Sequence, residues 1–164
     1  MPDVLTHILF AQKVKDAISD INVKDAIDNN MQLYNFGAQG PDFLFYHISP
    51  LLIDKRVPAA GAMMHRIETS KFFKDFVLWL ENLNGAEYEQ SLSYFAGFLT
   101  HFYCDKTIHP YVEATVEKGA SYFNKNGGKA YLSHYMVEYV MDIRLWKEHT
   151  GTEAYKQDIL QLIG

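Results

Sequence analysis

Along most of the chain, apolar residues return every three or four positions, the period of a helix that buries one face. Val4, Leu5, Ile8, Leu9, Ala11, Val14, Ala17 and Ile18 set this rhythm over residues 2–19, with Pro2 and Asp3 suited to a first turn. A short helix is predicted near 23–36, ended by Gly37. The glycines of Gly37-Ala38-Gln39-Gly40 mark a loop, from which Pro41 opens one more turn of helix through Tyr46. Residues 48–60, with Pro50 and Pro58, read as irregular. Thr69 or Ser70 caps a helix to about Leu83 that puts Phe72, Phe73, Phe76, Val77 and Leu80 on one face. After the Asn84-Gly85 turn, a long helix runs from about Glu87 to Ile108. Pro110 is expected to stop it, because the residue before a proline avoids helical geometry. Helical pattern resumes over Tyr111–Glu117 and breaks at Gly119 and at Asn126-Gly127-Gly128. It returns from about Lys129 to His149, stopping at Gly151, and a last short helix covers 152–163.

No alternating strand pattern and no internal repeat interrupts this series, which predicts an all-α protein: one compact multi-helix bundle over residues 1–164. With 48% apolar and 21% charged residues, the composition excludes disorder and linker-like chains. No apolar run approaches the about 18 residues a membrane-spanning helix needs. The N-terminus lacks the basic stretch of a signal peptide. The one cysteine, Cys104, forbids an intrachain disulfide, so the cytoplasm is the expected location. A net charge of −5 gives no electrostatic reason to bind nucleic acid. Phosphate-binding glycine loops and a Gly-x-Ser-x-Gly elbow are both missing. Aromatic residues at 15% are read mainly as core, among them Phe95, Phe98, Phe102, Tyr103, Tyr135 and Tyr139.

Seven histidines remain to be placed. His101, Asp105 and His109 stand at i, i+4 and i+8 of the long helix. Each step of four turns only about 40° around the axis, so all three share one face. His134, Glu138 and Asp142 repeat the arrangement on the next long helix. Imidazole with carboxylate is the donor set of zinc and similar divalent ions, and burying several such groups without a partner would be costly. His101 and His109 lie about 12 Å apart along the axis, whereas metal–ligand bonds are about 2 Å long. They therefore serve different ions, with Asp105 between them, and a multinuclear centre follows. His7 on the first helix, Asp42 at a helix start and His65 after an apolar run are further candidates. Asp142 either adds a ligand or orients one through a hydrogen bond. His47 reads as a turn or supporting residue, His149 as exposed near a helix end, and Cys104 as core.

The ordered set His7, Asp42, His65, His101-x-x-x-Asp105-x-x-x-His109 and His134-x-x-x-Glu138 resembles the zinc-dependent phospholipase C family. It is also similar to the single-strand-specific zinc nucleases that share that all-helical fold. The resemblance spans residues 2 to about 146. It implies that Asp42, His65, His101 and Asp105 hold one ion and that His109, His134 and Glu138 hold a second. His7, Asp105 and the N-terminal amine and carbonyl would hold a third. Removal of Met1 would leave the Pro2 amine five residues before His7. The cofactor implied is zinc, two or three ions, with iron or nickel able to substitute. The reaction implied is hydrolysis of a phosphoester, either a phospholipid or a soluble phosphodiester, by a metal-activated water that Asp42 orients or deprotonates. A nuclease, with a nucleic acid as a less favoured substrate, is the alternative enzyme. A metal-stabilised helical module without catalysis, recruiting a partner, is the alternative of another class.

Overall fold

The computed structural model describes residues 4–46, 56–65, 69–125, 133–158 and 161–162. Among these are seven α-helices and no strand: α1 (Val4–Ala17), α2 (Ile21–Asn29), α3 (Met31–Gly37), α4 (Arg56–Met64), α5 (Thr69–Leu80), α6 (Gly85–Lys125) and α7 (His134–Thr150). Short 3-10 helices cover Asp42–Tyr46 and Ala154–Lys156. The all-α expectation holds, and no described helix is long and apolar enough to cross a membrane.

The 41-residue α6 is the axis of the fold, about 60 Å long at about 1.5 Å per residue. Helices α1, α2, α3, α5 and α7 all pack against it. The tightest crossing is with α3, and reciprocal glycines make it possible. A Cβ on Gly97 would stand 2.1 Å from the Tyr34 carbonyl oxygen, and one on Gly37 would stand 2.2 Å from that of Tyr94. Backbone-to-backbone approach at this distance leaves no room for any other residue. Tyr34, fully buried in the same layer with Ala11, Ile27 and Ala38, donates its hydroxyl to the Ala11 carbonyl at 2.7 Å. A second core joins α1 to α7 through Leu5, Ile8, Leu9 and Trp146. Helix α5 closes the other flank of α6 with aromatic rings. Phe76 stacks on Phe95 at 4.4 Å, and Phe73 meets Phe102 edge-on at 5.2 Å.

Several helix ends depart from the periodicity. Residues 23–36 form two helices, because Asn30 turns its side-chain amide onto the Ala26 carbonyl and ends α2 there. Residues 56–60 are helical, not irregular. Pro58 is the third residue of α4, where a backbone N–H would have no partner inside the helix. Pro110 does not stop α6. It removes one N–H bond and crowds the Lys106 carbonyl, yet both residues are exposed, while Val112 beyond them is fully buried and anchors the helix. Burial outweighs the local break, and the helix also continues through Gly119. Helix α7 begins at His134, capped by the Ser133 hydroxyl, and ends at Gly151 in the left-handed conformation with φ 70°. No single helix covers 152–163: a 3-10 turn ends at Lys156 and Gln157 is extended. Phe95 and Phe98 are buried as expected, but Tyr103, Tyr135 and Tyr139 sit on outward faces of α6 and α7 and are exposed. His47, Pro50 and residues 1–3 lie outside the described residues, and with them the expectations for the chain terminus and for 129–132.

Candidate metal centre

Five elements deliver eight side chains to one place. Helix α6 presents His101, Asp105 and His109 from successive turns, and α7 presents His134 and Glu138. His7 comes from the second turn of α1, Asp42 from the start of the 3-10 helix, and His65 from just beyond α4. The loop before Asp42 is shaped by Gly40, whose φ is 53° and whose missing Cβ would lie 2.2 Å from Cδ2 of His101. This glycine makes the turn and leaves the space in which the His101 ring sits.

Donor atoms gather into three groups, each within 4.8 Å: His7, His101 and Asp105; Asp42, His65 and His101; and His109, His134 and Glu138. Asp105 is the hub. Its Oδ1 lies 3.5 Å from Nε2 of both His7 and His109, and its Oδ2 lies 3.4 Å from His101 Nε2 and 3.7 Å from His65 Nε2. Asp42 Oδ1 is 3.0 Å from His65 Nε2 and 3.8 Å from His101 Nε2, and its Oδ2 is 3.8 Å from His7 Nε2. At the far end, Glu138 Oε1 is 2.8 Å from His134 Nε2 and 3.8 Å from His109 Nε2.

Most of these separations are too long for hydrogen bonds and suit another purpose. Two donors on one tetrahedral zinc, each about 2.1 Å from it, stand about 3.4 Å apart. Nε2 of His7, His101 and His109 and Oδ1 of Asp105 are buried and make no hydrogen bond. Buried polar atoms in that state are the kind that a bound ion or an ordered water satisfies. The rings are held for the task. Nδ1 of His65 donates to the Gly61 carbonyl at 2.8 Å, which orients the ring and turns Nε2 toward Asp42. His7 and His101 stack at 4.4 Å, an arrangement that favours neutral rings.

The electrostatics agree with the geometry. Burial, reinforced by the neighbouring His101, drives His7 well below the ordinary imidazole pKa, and burial takes His101 down to about 4. Burial lowers His109 as well. Asp105 is pushed up to about 7, first by burial and then by the charge of Asp42. His65 moves upward because it hydrogen-bonds Asp42. Neutral imidazoles and a carboxylate that is costly to ionise alone are what a divalent cation relieves. The residues present therefore fit a zinc-type centre.

His65, His101, Asp105 and His109 line a cleft of about 350 Å³, whose walls also include Met64, Phe98, Phe102, Lys106 and Glu113. Lys106 and Glu113 had drawn no attention in the sequence. The available signal was spacing, since Glu113 extends the four-residue series His101, Asp105, His109 by one more turn. Asp142 belongs to none of the three groups. Its carboxylate instead accepts the backbone N–H groups of Leu5 and Thr6, at 2.9 and 2.8 Å, and the Thr6 hydroxyl. Cys104 is buried core, with its thiol pushed up to about 12 by burial, and His149 is exposed in the last turn of α7.

No curated protein and no solved structure matches the chain. A family match exists nonetheless, and it covers the elements that carry the donors from His7 to Glu138. Residues 6–162 fit the model of the family described as zinc dependent phospholipase C, and the chain belongs to that family.

Proposed function

We propose that the protein is a zinc-dependent phosphodiesterase of the phospholipase C type, hydrolysing a phosphodiester in the cleft above Asp105. The observation that supports this best is the position of Asp105, whose two oxygens face histidines belonging to all three donor groups where it lines an open cleft. Asp42, His65, His101 and Asp105 would hold one ion. His109, His134 and Glu138 would hold a second, and His7 with Asp105 and the chain terminus a third. When bound, such ions polarise phosphoryl oxygens and bring a coordinated water toward ionisation near neutral pH.

The residues supply the remaining chemistry. Asp42, its two oxygens facing different histidines, is placed to accept the proton of the attacking water. Lys106 brings a positive charge to the wall of the cleft, which complements a phosphate. Phe98, Phe102 and Met64 give an apolar seat for the rest of the substrate. His109 lines the cleft, and His109 and His134 are both part-exposed, so the far end of the cluster is open to solvent. That openness favours catalysis over a sealed structural centre. The net charge of −5 counts against a nucleic acid as substrate. The test is hydrolysis of a chromogenic aryl phosphodiester by the purified protein before chelation, after chelation and after zinc is restored. Activity that disappears and returns with zinc supports the reading. A protein that binds zinc stoichiometrically but cleaves neither this ester nor a phospholipid overturns it.

A further inference from the structure

Asp142 is a buried carboxylate, 4% exposed, that the proposed reaction does not use. It lies one helical turn beyond Glu138 on the same face of α7. Its partners are on another helix. Leu5 and Thr6 are the second and third residues of α1, where backbone N–H groups have no acceptor within their own helix. Asp142 accepts both of them and the Thr6 hydroxyl as well. It thus caps α1 from a distance of more than 130 residues in sequence. Its negative charge also complements the positive end of the α1 dipole.

The residue that follows Thr6 is His7. A slip of α1 by one residue would move His7 by about 1.5 Å along the axis and turn it by about 100°. Metal–ligand distances tolerate only about 0.2 Å. The apolar contacts of Leu5, Ile8 and Leu9 with Trp146 hold α1 against α7, but packing of this kind permits small slides that directional bonds forbid. We infer that Asp142 is a positioning residue: by capping α1 it fixes the register of His7 in the cluster, and it ties that register to the helix that carries Glu138. This rests on the metal-binding reading above.

The experiment compares zinc content and stepwise zinc affinity by calorimetry for the full-length protein and for variants at Asp142, Leu9 and His7. Asp142→Ala removes the cap. Asp142→Asn keeps the shape but has one acceptor oxygen in place of two. Leu9→Ala weakens the same α1–α7 contact without touching the cap. The expected result is that both Asp142 variants lose or weaken one class of zinc by about 10–100-fold, the range for residues that orient a ligand. Binding that depends on His109, His134 and Glu138 should persist. Leu9→Ala should lower the melting temperature while all classes stay within a few-fold of the wild type. His7→Ala should reproduce the selective loss, and Asp142→Ala should add little to it. Unchanged affinities in Asp142→Asn and Asp142→Ala overturn the inference. So does a uniform loss of every ion in step with thermal stability, which is the mark of a purely structural residue. A wild-type protein that binds no zinc is a separate outcome and removes the metal reading itself.

Discussion

The two ends of the candidate centre are built from the same residue types and behave differently. At one end His7, Asp42, His101 and Asp105 are at most 8% exposed, clamped among α1, the Gly40 loop and α6, and of that end's donors only the His65 side chain, 24% exposed, reaches solvent. At the other, the side chains of His109 and His134 are 31% and 40% exposed, and only Glu138 is buried. Burial makes the first end costly to leave without a cation and slow to exchange one. On the proposed reading, exposure would make the second accessible to incoming phosphoester oxygens. The donor set alone would then not divide holding an ion from using it; the depth at which each donor is placed would.

The largest effect is expected where the ends meet. Asp105→Asn removes charge from both oxygens that face His7, His65, His101 and His109. Phosphodiester turnover should fall on the order of 10³-fold, the upper range for losing one preorganised electrostatic group, and zinc content should fall with it. Elemental analysis beside kcat checks both. Asp42→Asn should act differently. It lies in the buried end and is proposed both as a ligand and as the proton acceptor; the amide oxygen can still ligate but cannot take a proton, so turnover should fall about 10²-fold while most of the zinc is retained. If Asp42→Asn keeps wild-type kcat, its carboxylate is only a helix-start charge.

How much of this was legible in the residues depends on what each feature rests on. His101, Asp105 and His109, and likewise His134 and Glu138, could be grouped because a helix places every fourth residue on one face, whatever surrounds it. The helices themselves were legible for the same reason. Where α6 ends was not, because Pro110 is a local signal and the burial of Val112 beyond it is a tertiary one. The cap that Asp142 gives α1 spans the chain and leaves no local trace. The same holds for Gly40, which reads as an ordinary loop glycine until the His101 ring is found against it. Gly37 and Gly97 are similar: only the crossing of α3 and α6 shows why neither can carry a side chain.

Protons should separate the two ends more finely. In the metal-free protein, Asp105 titrates near 7 and His65 is raised, so at pH 6 both are largely protonated. A cation must displace those protons. His101 at about 4, with His7 and His109 also lowered, has none to give at that pH. Zinc binding at the buried end should therefore release one to two protons at pH 6 and markedly fewer at pH 8, and its apparent affinity should rise with pH up to about 7. The stability consequence has a definite sign. A carboxyl whose folded pKa is above its unfolded value favours the fold at low pH, so the contribution of Asp105 to the metal-free protein is lost as pH rises from about 4 through about 7. The melting-temperature gap between zinc-bound and metal-free protein should widen over that interval. Calorimetry in two buffers of different ionisation heat counts the protons. Equal release at pH 6 and pH 8 would remove the burial argument for Asp105.

The smallest effect is expected at the open end, and it concerns one hydroxyl. Ser133 caps α7 by accepting the Met136 N–H at 3.2 Å, and His134 is the first residue of that helix. Ser133→Ala leaves the orphan donors of the first turn to water, which costs about 1 kcal/mol in helices of this kind. Fraying would act on His134 first, whereas Glu138 lies a full turn inside and is buried. Zinc held by His109, His134 and Glu138 should weaken about fivefold, the equivalent of that 1 kcal/mol. Ions at the buried end should be unaffected, because none of their donors is on the first turn of α7. Removing the α7 cap would then be the mirror image of removing the α1 cap: each loosens the histidine that follows it and spares the other end. Stepwise zinc titration of Ser133→Ala reads this directly. Equal weakening at both ends would mean that the cluster responds as one rigid unit, and that the division between a holding end and a working end is one of exposure only.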